Sequence, residues 1–133
     1  MAAPLEGIRV ADFTWVWAGP YCTLQLAHMG AEVIRIETKT RPCVTRMLPP
    51  WPGGVFDGLN KSGYFNQYNQ GKKSLSLNFK HPEAKQVAWR LIEKADVVVN
   101  NFAGGVMEKM GFGYGEVCKI NPKAIMISLS GYG

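Results

Sequence analysis

Two hydrophobic patterns alternate along the chain. Short runs of β-branched residues, typical of buried strands, are separated by segments whose apolar residues recur every three or four positions, as in amphipathic helices. Pro82 begins the most regular helical segment, with Glu83 in its first turn, and the apolar spacing continues to Ile92. The patterns predict strands at 8–13, 32–36, 74–78, 96–100 and 124–129, and helices at 18–30, 64–70, 82–92, 105–110 and 114–120.

Strands that alternate with helices predict parallel βαβ units joined by right-handed crossovers. We therefore expect an α/β fold, with a Rossmann-like, open and mainly parallel sheet and helices on both faces. The 133 residues correspond to about one domain. The spacing of the strands does not specify their order in the sheet.

The connection between Thr38 and Tyr64 is rich in proline and glycine. Connections of this length without secondary structure are uncommon and usually functional. We expect a functional loop or one that is covered by a partner.

Composition narrows the class of protein. The chain is 47% hydrophobic and 19% charged, which indicates a globular protein. It contains no apolar stretch long enough to span a membrane, and its first residues do not resemble a secretion signal. The three cysteines, Cys22, Cys43 and Cys118, form neither a disulfide framework nor a metal-binding pair, and we expect reduced thiols in a cytoplasmic protein.

The net charge of +5 could favour binding to nucleic acid, to an anionic membrane or to a phosphorylated ligand. The basic residues form no long block and no nucleic-acid motif is present, so we expect neither a nucleic-acid nor a membrane partner. Phosphates could be neutralised by cations near the predicted loop ends: Arg46, Lys72, Lys73, Lys80 and Lys109. A solvated surface is the alternative for each of them.

In open parallel sheets, ligands bind beyond the carboxyl ends of the strands. This rule selects five segments, which should lie along one edge: Thr14–Pro20, Glu37–Lys39, Lys80, Asn101–Gly105 and Ser130–Gly133. The first combines Trp15 and Trp17 with a helix start, a combination that suits an aromatic base and an anion. The two indoles could instead pack against another subunit. Asn101 and Phe102 offer an amide beside an aromatic ring, although Asn101 could simply cap its own turn.

Other chemistry finds less support. Asp12 and Glu37 end predicted strands and could face a ligand or cap neighbouring backbone. The glycine-rich segment 111–115 fails the spacing of known phosphate loops. No metal cluster or nucleophile–base set can be assembled, so we expect no metal and no catalysis by His28 or His81.

Taken together, the segments resemble family III CoA-transferases, the CaiB/BaiF family. Six groups of matching residues occur in order: 4–10 and 12–14 with 18–20, 26–37, 69–78, 94–102, 106–111, and 121–123 with 130–133.

The resemblance implies a coenzyme A site that uses acyl-CoA as a substrate and holds the adenine and phosphates. The implied residues are Val16, Trp17, Ala18, Thr38, Lys39, Leu77, Asn78, Phe79, Lys80, Asn101, Phe102, Ala103 and Lys109. Two positions depart from the family pattern. Thr38 replaces a common arginine, for which Lys39 or Arg41 could substitute, and Trp17 replaces a glutamine of formyl-CoA transferases. The indole would favour a larger, apolar acyl group over formyl-CoA or oxalate.

In the family, an aspartate beyond the Ser-Gly-Tyr-Gly motif attacks the acyl-CoA thioester. The resemblance therefore implies that residues 1–133 are the N-terminal part of the CoA-binding domain, with the catalytic residue beyond Gly133. It also implies an interlocked homodimer that acts on an acyl-CoA and a carboxylic acid. An α-methylacyl-CoA racemase fragment and a stand-alone nucleotide-binding module are the alternatives.

Overall fold

A computed structural model describes residues 2–131 of the chain. Its centre is a five-stranded sheet in the order β3-β2-β1-β4-β5, in which every neighbouring pair is parallel. This confirms the predicted α/β class and the parallel sheet. The strands are β1 (Arg9–Asp12), β2 (Glu32–Glu37), β3 (Lys73–Ser76), β4 (Val97–Asn100) and β5 (Ile125–Ser128).

In residues 2–131, five α-helices lie between the strands, close to the predicted positions. They are α1 (Ala18–His28), α2 (Gly63–Tyr68), α3 (Pro82–Glu93), α4 (Val106–Met110) and α5 (Tyr114–Ile120). Pro82 stands in the first turn of α3, where its missing N–H costs no helical hydrogen bond. None of the helices in residues 2–131 has the length and apolarity that crossing a membrane would require.

The two faces of the sheet are covered separately. On one face, Val98 packs with Ala88 and Ile92 of α3 and with Phe112 and Val117 in a single buried cluster. On the other face, Val10, Val33 and Val99 form a second buried cluster, against which Leu26 and Ala27 of α1 pack. Val98 and Val99 thus point to opposite faces, as successive residues of a strand must. Helices cover both faces, as predicted.

The strand order creates a crevice at one edge. The chain builds β1, β2 and β3 in one direction, and then crosses back to place β4 on the other side of β1. The loops that follow β1 and β4 therefore leave neighbouring strands and turn to opposite faces. This reversal point is where open α/β sheets bind ligands.

The long connection between β2 and α2 is folded rather than extended. It contains two 3₁₀ turns, Val44–Met47 and Pro52–Gly54. Ser62 holds it to α2, since its hydroxyl lies within hydrogen-bond distance of the carbonyls of Thr45 and Leu48, to which its one proton can be donated, and accepts from the N–H of Phe65. The connection is therefore a structured wall beside the crevice.

Candidate functional site

The loops after four strands enclose a cleft of about 420 Å³ at the carboxyl edge of the sheet. Thr38 follows β2, Phe79 follows β3, and Phe102 and Ala103 follow β4, so four of the predicted site residues line it. The remaining lining residues are Phe13, Trp15, Ile36, Glu37, Arg41, Val106 and Met110.

Aromatic rings form much of the wall. Trp15, Phe79 and Phe102 come from three different loops and converge on the cleft. Phe79 is held from behind by the buried Phe112, at a centroid distance of 5.6 Å. Phe112 also contacts Phe13 at 5.5 Å. Rings held in this way provide flat apolar faces on which a planar ligand can stack.

Arg41 is the cation that faces this cleft. Its guanidinium lies 5.3 Å from the centroid of the Trp15 ring, a distance typical of a cation–π contact. Arg46 is unavailable, since its Nη2 and Nε donate to the two oxygens of Glu37 at 2.8 and 2.9 Å. The cleft therefore combines aromatic faces with one arginine, and the Glu37 carboxylate is already paired.

Val16 and Trp17 follow Trp15 with φ angles of 43° and 51°. Residues other than glycine rarely adopt positive φ, least of all β-branched ones. Asn101 binds this turn with both ends of its amide: Oδ1 accepts from the Trp15 N–H at 2.6 Å, while Nδ2 donates to the carbonyls of Trp15 and Val16. The side chain of Asn101 thus joins the loop after β4 to the loop after β1.

Gly19 is required where α1 begins. A Cβ at this position would lie 2.5 Å from Thr14 Cβ and 2.8 Å from Asn101 Cγ. Both distances are shorter than real Cβ contacts allow, so only glycine lets the helix approach this closely.

A buried ion pair lies behind the cleft. Lys72 Nζ is 3.2 Å from Asp12 Oδ2, and the two side chains are 2% and 0% exposed. The ammonium also donates to Thr23 Oγ1 at 2.7 Å and to the Pro20 carbonyl at 2.9 Å. Burial lowers the pKa of Lys72 to about 8, although the carboxylate of Asp12 acts in the opposite direction.

This arrangement corrects the prediction that Lys72 could neutralise a phosphate. Its ammonium is enclosed by protein groups and bound to Asp12, so it cannot reach a ligand from solvent. Asp12 is likewise occupied, since its Oδ1 accepts from the Thr14 N–H and hydroxyl at 2.8 and 2.5 Å. The alternative that Asp12 caps neighbouring backbone is correct.

Lys73 is also wrongly placed for a phosphate at the cleft. It begins β3, so it lies at the amino end of the sheet, and its ammonium pairs with Glu32 at the start of β2, 2.5 Å away. A residue at that edge is a strand length away from the carboxyl ends.

The other predicted residues are spread over neighbouring surfaces. Lys39 and Arg46 line an adjoining cleft of about 370 Å³ together with Ser74 and Ser76. Trp17 is 62% exposed and, with Ala18, lines an aromatic depression against Tyr21 and Tyr68. The two indoles therefore belong to different surfaces: Trp15 lines the main cleft, and Trp17 lines the depression.

Another cleft shares Phe102 and Ala103 with the main one and extends to Ser130. Ser130 thus lies on the predicted edge, while Tyr132 and Gly133 fall outside the described residues. Leu77 is buried in the core, and Asn78 turns the chain by accepting from the Lys80 N–H at 3.2 Å. Lys80 and Lys109 are not among the residues that line the cleft. Each is adjacent in the sequence to one that does, Phe79 and Met110 respectively.

The sequence did not single out several apolar lining residues: Phe13, Ile36, Val106 and Met110. Their apolar character looks like ordinary core, and only their position at strand and helix ends could have indicated the cleft. Within residues 2–131, no three potential metal-ligating side chains come together, and the three cysteines are free thiols.

The parallel sheet and the aromatic cleft at its reversal point define a Rossmann-like α/β domain. A sequence model described as CoA-transferase family III matches residues 5–133. The chain therefore belongs to CoA-transferase family III, as the resemblance implied.

Curated relatives agree with this assignment. The chain is 42% identical over 134 residues to a formyl-CoA:oxalate CoA-transferase of Afipia carboxidovorans, and it covers 30% of that protein. It is 44% identical over 131 residues to a succinyl-CoA:mesaconate CoA-transferase of Haloarcula marismortui, of which it covers 32%. These alignments include 100% and 97% of the chain, which thus spans about a third of the length of these relatives.

Solved structures show the same fold. A CaiB/BaiF family protein from Brucella suis superposes with a TM-score of 0.88 and 32% identity, covering 100% of this chain and 35% of that one. A protein of Mycobacterium tuberculosis described as hypothetical gives a TM-score of 0.85 and 37% identity, covering 99% of this chain and 35% of that one.

Proposed function

We propose that the protein carrying this chain transfers CoA between an acyl-CoA and a free carboxylic acid, and that the chain supplies part of the CoA site. Family membership supports the reaction class, and two relatives of more than 40% identity are named as CoA-transferases. The residues of the chain itself support the binding role.

The main observation is the cleft at the reversal point of the sheet. Its aromatic walls, Trp15, Phe79 and Phe102, offer stacking faces for the adenine of CoA. Arg41 brings a guanidinium to the same cleft, and its planar donors match the oxygens of a phosphate. Thr38 stands where the family commonly has an arginine. In this proposal Arg41, three residues later in the chain, provides the positive charge instead.

The chemistry of transfer needs a free carboxylate as nucleophile. Glu37, the carboxylate that lines the cleft, is already bound by Arg46, and Asp12 at the end of β1 is bound by Lys72 and two threonines. We therefore assign binding to this chain and assign the nucleophile to an aspartate outside it.

The other site residues complete the contacts in this proposal. Ala103 and Thr38 contact the coenzyme directly beside the aromatic walls, and the charged side chains of Lys80 and Lys109 approach its phosphates from the exterior. Trp17, Ala18 and Val16 lie beside the aromatic depression, where the indole favours an apolar acyl group larger than formyl. Lys39, Leu77, Asn78 and Asn101 contribute through their backbone or the shape of the loops.

Calorimetric titration with CoA, ATP and NAD tests the binding role. We expect a preference for CoA and at least a tenfold loss of affinity in Arg41→Ala, because a charge-assisted hydrogen bond contributes about 1.5–3 kcal/mol. Arg90→Ala, an exposed cationic residue on α3, is the matched control. Equal affinity for the three nucleotides would instead indicate a general nucleotide-binding module.

An assay of the full-length protein tests the reaction. Incubation with an acyl-CoA and a panel of free acids should give the CoA ester of an acceptor acid, detected by mass spectrometry. Including oxalate and larger apolar acids tests the preference assigned to Trp17. Exchange of the α-proton with D₂O, without any transfer between acids, would identify a racemase.

We also propose a cytoplasmic homodimer. Free cysteines are usual in reducing compartments. Large apolar side chains such as Trp17, Val55 and Phe56 are exposed on this chain, and a second subunit would cover them. Light scattering on the full-length protein measures the oligomeric state, and a monomeric mass would refute the dimer.

A further inference from the structure

The side-chain amide of Asn101 makes its hydrogen bonds within the protein, to a loop that is distant in the sequence. Both polar atoms of its amide are engaged with the loop after β1, which lies 86 residues earlier in the chain. Oδ1 accepts from the Trp15 N–H at 2.6 Å, and Nδ2 donates to the carbonyls of Trp15 and Val16. An amide has two N–H donors, so this pattern leaves neither of them for a nucleotide.

The loop that it holds needs an external restraint. Val16 and Trp17 both have positive φ, a conformation that persists in such residues only where the surroundings impose it. The restraint comes from β4 through Asn101, and from α1 through the close approach of Gly19 to Asn101 Cγ. Trp15, at the start of this turn, forms a wall of the cleft and carries Arg41 over its ring.

We propose that Asn101 is a positioning residue: it sets the turn at Trp15–Trp17 and acts on the coenzyme through the Trp15 wall and Arg41. The proposal rests on the assignment of the cleft to CoA. The chemistry can be tested at one atom, because aspartate has the shape of asparagine but lacks the Nδ2 donors.

In Asn101→Asp, one carboxylate oxygen still accepts from the Trp15 N–H, while the other faces two carbonyl oxygens. When the carboxyl is protonated it can donate to one of those carbonyls again. We expect the CoA affinity of the full-length variant, relative to wild type, to be reduced about tenfold at pH 8 and to recover as the pH falls towards 5. Asn66→Asp, on the exposed face of α2, is the matched control and should follow wild type. A loss in Asn101→Asp that is the same at every pH would contradict the proposal.

A double-mutant cycle separates positioning from direct contact. If Asn101 acts through Trp15, the CoA affinity of Asn101→Ala should be little worsened by adding Trp15→Ala, because the wall is already displaced. Additive losses would assign Asn101 a contact of its own and would overturn the proposal.

Amide hydrogen exchange provides a reading that needs no ligand. In Asn101→Ala, the segment 13–20 should exchange at least tenfold faster than in wild type, whereas Asn66→Ala should leave it unchanged. Failure of the wild-type protein to bind CoA would refute the assignment of the cleft, and exchange would still decide the role of Asn101. Unaltered exchange in Asn101→Ala would show that the turn does not depend on this side chain.

Discussion

Lys72 and Asp12 illustrate how single residues hold the crevice together. Their ion pair joins the end of β1 to the segment before β3, and Thr23 of α1 donates to the same Asp12 oxygen at 2.6 Å. Three elements are thereby tied at one buried point. Removing one partner of such a pair leaves an uncompensated charge in the interior.

We expect Lys72→Met to lower the free energy of unfolding by about 3 kcal/mol, the low end for a broken buried pair, because both threonines still donate to Asp12. Urea denaturation measures the change. Lys73→Met is the matched control, since Lys73 is exposed and its pair with Glu32 is screened by solvent. Equal losses in the two variants would show that burial adds nothing to the contribution of the Lys72–Asp12 pair.

The lowered pKa of Lys72 also predicts a pH dependence. Between its folded-state value of about 8 and its ordinary value of 10.5, the unfolded chain binds more protons at this residue than the folded chain. Stability from this group therefore rises with pH across that window. The difference in unfolding free energy between wild type and Lys72→Met should widen by about 3 kcal/mol from pH 8 to 10.5, at about 1.4 kcal/mol per pKa unit. Denaturation at several pH values measures it, and a constant difference would contradict the burial of a charged ammonium.

At the scale of the element, helix α1 depends on how closely its first turn approaches the sheet. Gly19 has no space for a side chain, whereas a methyl group added at Gly115 of α5 would meet no heavy atom of a neighbouring segment within 4 Å. The two glycines therefore respond to the same substitution in opposite ways.

We expect Gly19→Ala to lower the unfolding free energy by about 1–3 kcal/mol through overpacking against Thr14 and Asn101. Gly115→Ala should raise it by about 0.5–1 kcal/mol, because alanine loses less backbone entropy in a helix. Thermal denaturation of both variants checks the signs. Stabilisation by Gly19→Ala would mean that α1 can move away from the loop at little cost.

The elements themselves were predicted well because their patterns are local. The spacing of apolar residues in α3 and the β-branched run in β4 identified both elements from the sequence. Boundaries were less accurate. The predicted third strand extends to residue 78, but β3 ends at Ser76, because Asn78 begins a turn through its bond to the Lys80 N–H.

At the scale of the whole molecule, charge should influence binding. The chain carries a net charge of +5, and CoA is a polyanion through its phosphates. We expect the Kd for CoA to rise several-fold between about 50 and 300 mM NaCl, because salt screens interactions between exposed charges. Titration at increasing salt measures this, with uncharged adenosine as the control ligand. A Kd independent of salt would indicate that stacking alone provides the affinity.

The position of the cleft follows from the topology of the sheet. The rule for parallel sheets selected the carboxyl edge, and Thr38, Phe79, Phe102 and Ala103 line one cleft there. That this cleft binds CoA stays a prediction. The assignment of individual cations was poorer. Lys72 is buried against Asp12, and Lys73 begins β3 and therefore lies at the amino end of the sheet, where it pairs with Glu32.

The sequence alone determined the alternation of strands and helices, the parallel class of the sheet and the edge at which ligands should bind. These follow from local periodicity and from the chirality of βαβ units. Only the tertiary structure decided that β4 lies beside β1, that Asn101 holds Trp15 across 86 residues and that Lys72 pairs with Asp12 across 60. Such contacts depend on how distant segments pack, and no spacing along the chain encodes which polar atoms will meet.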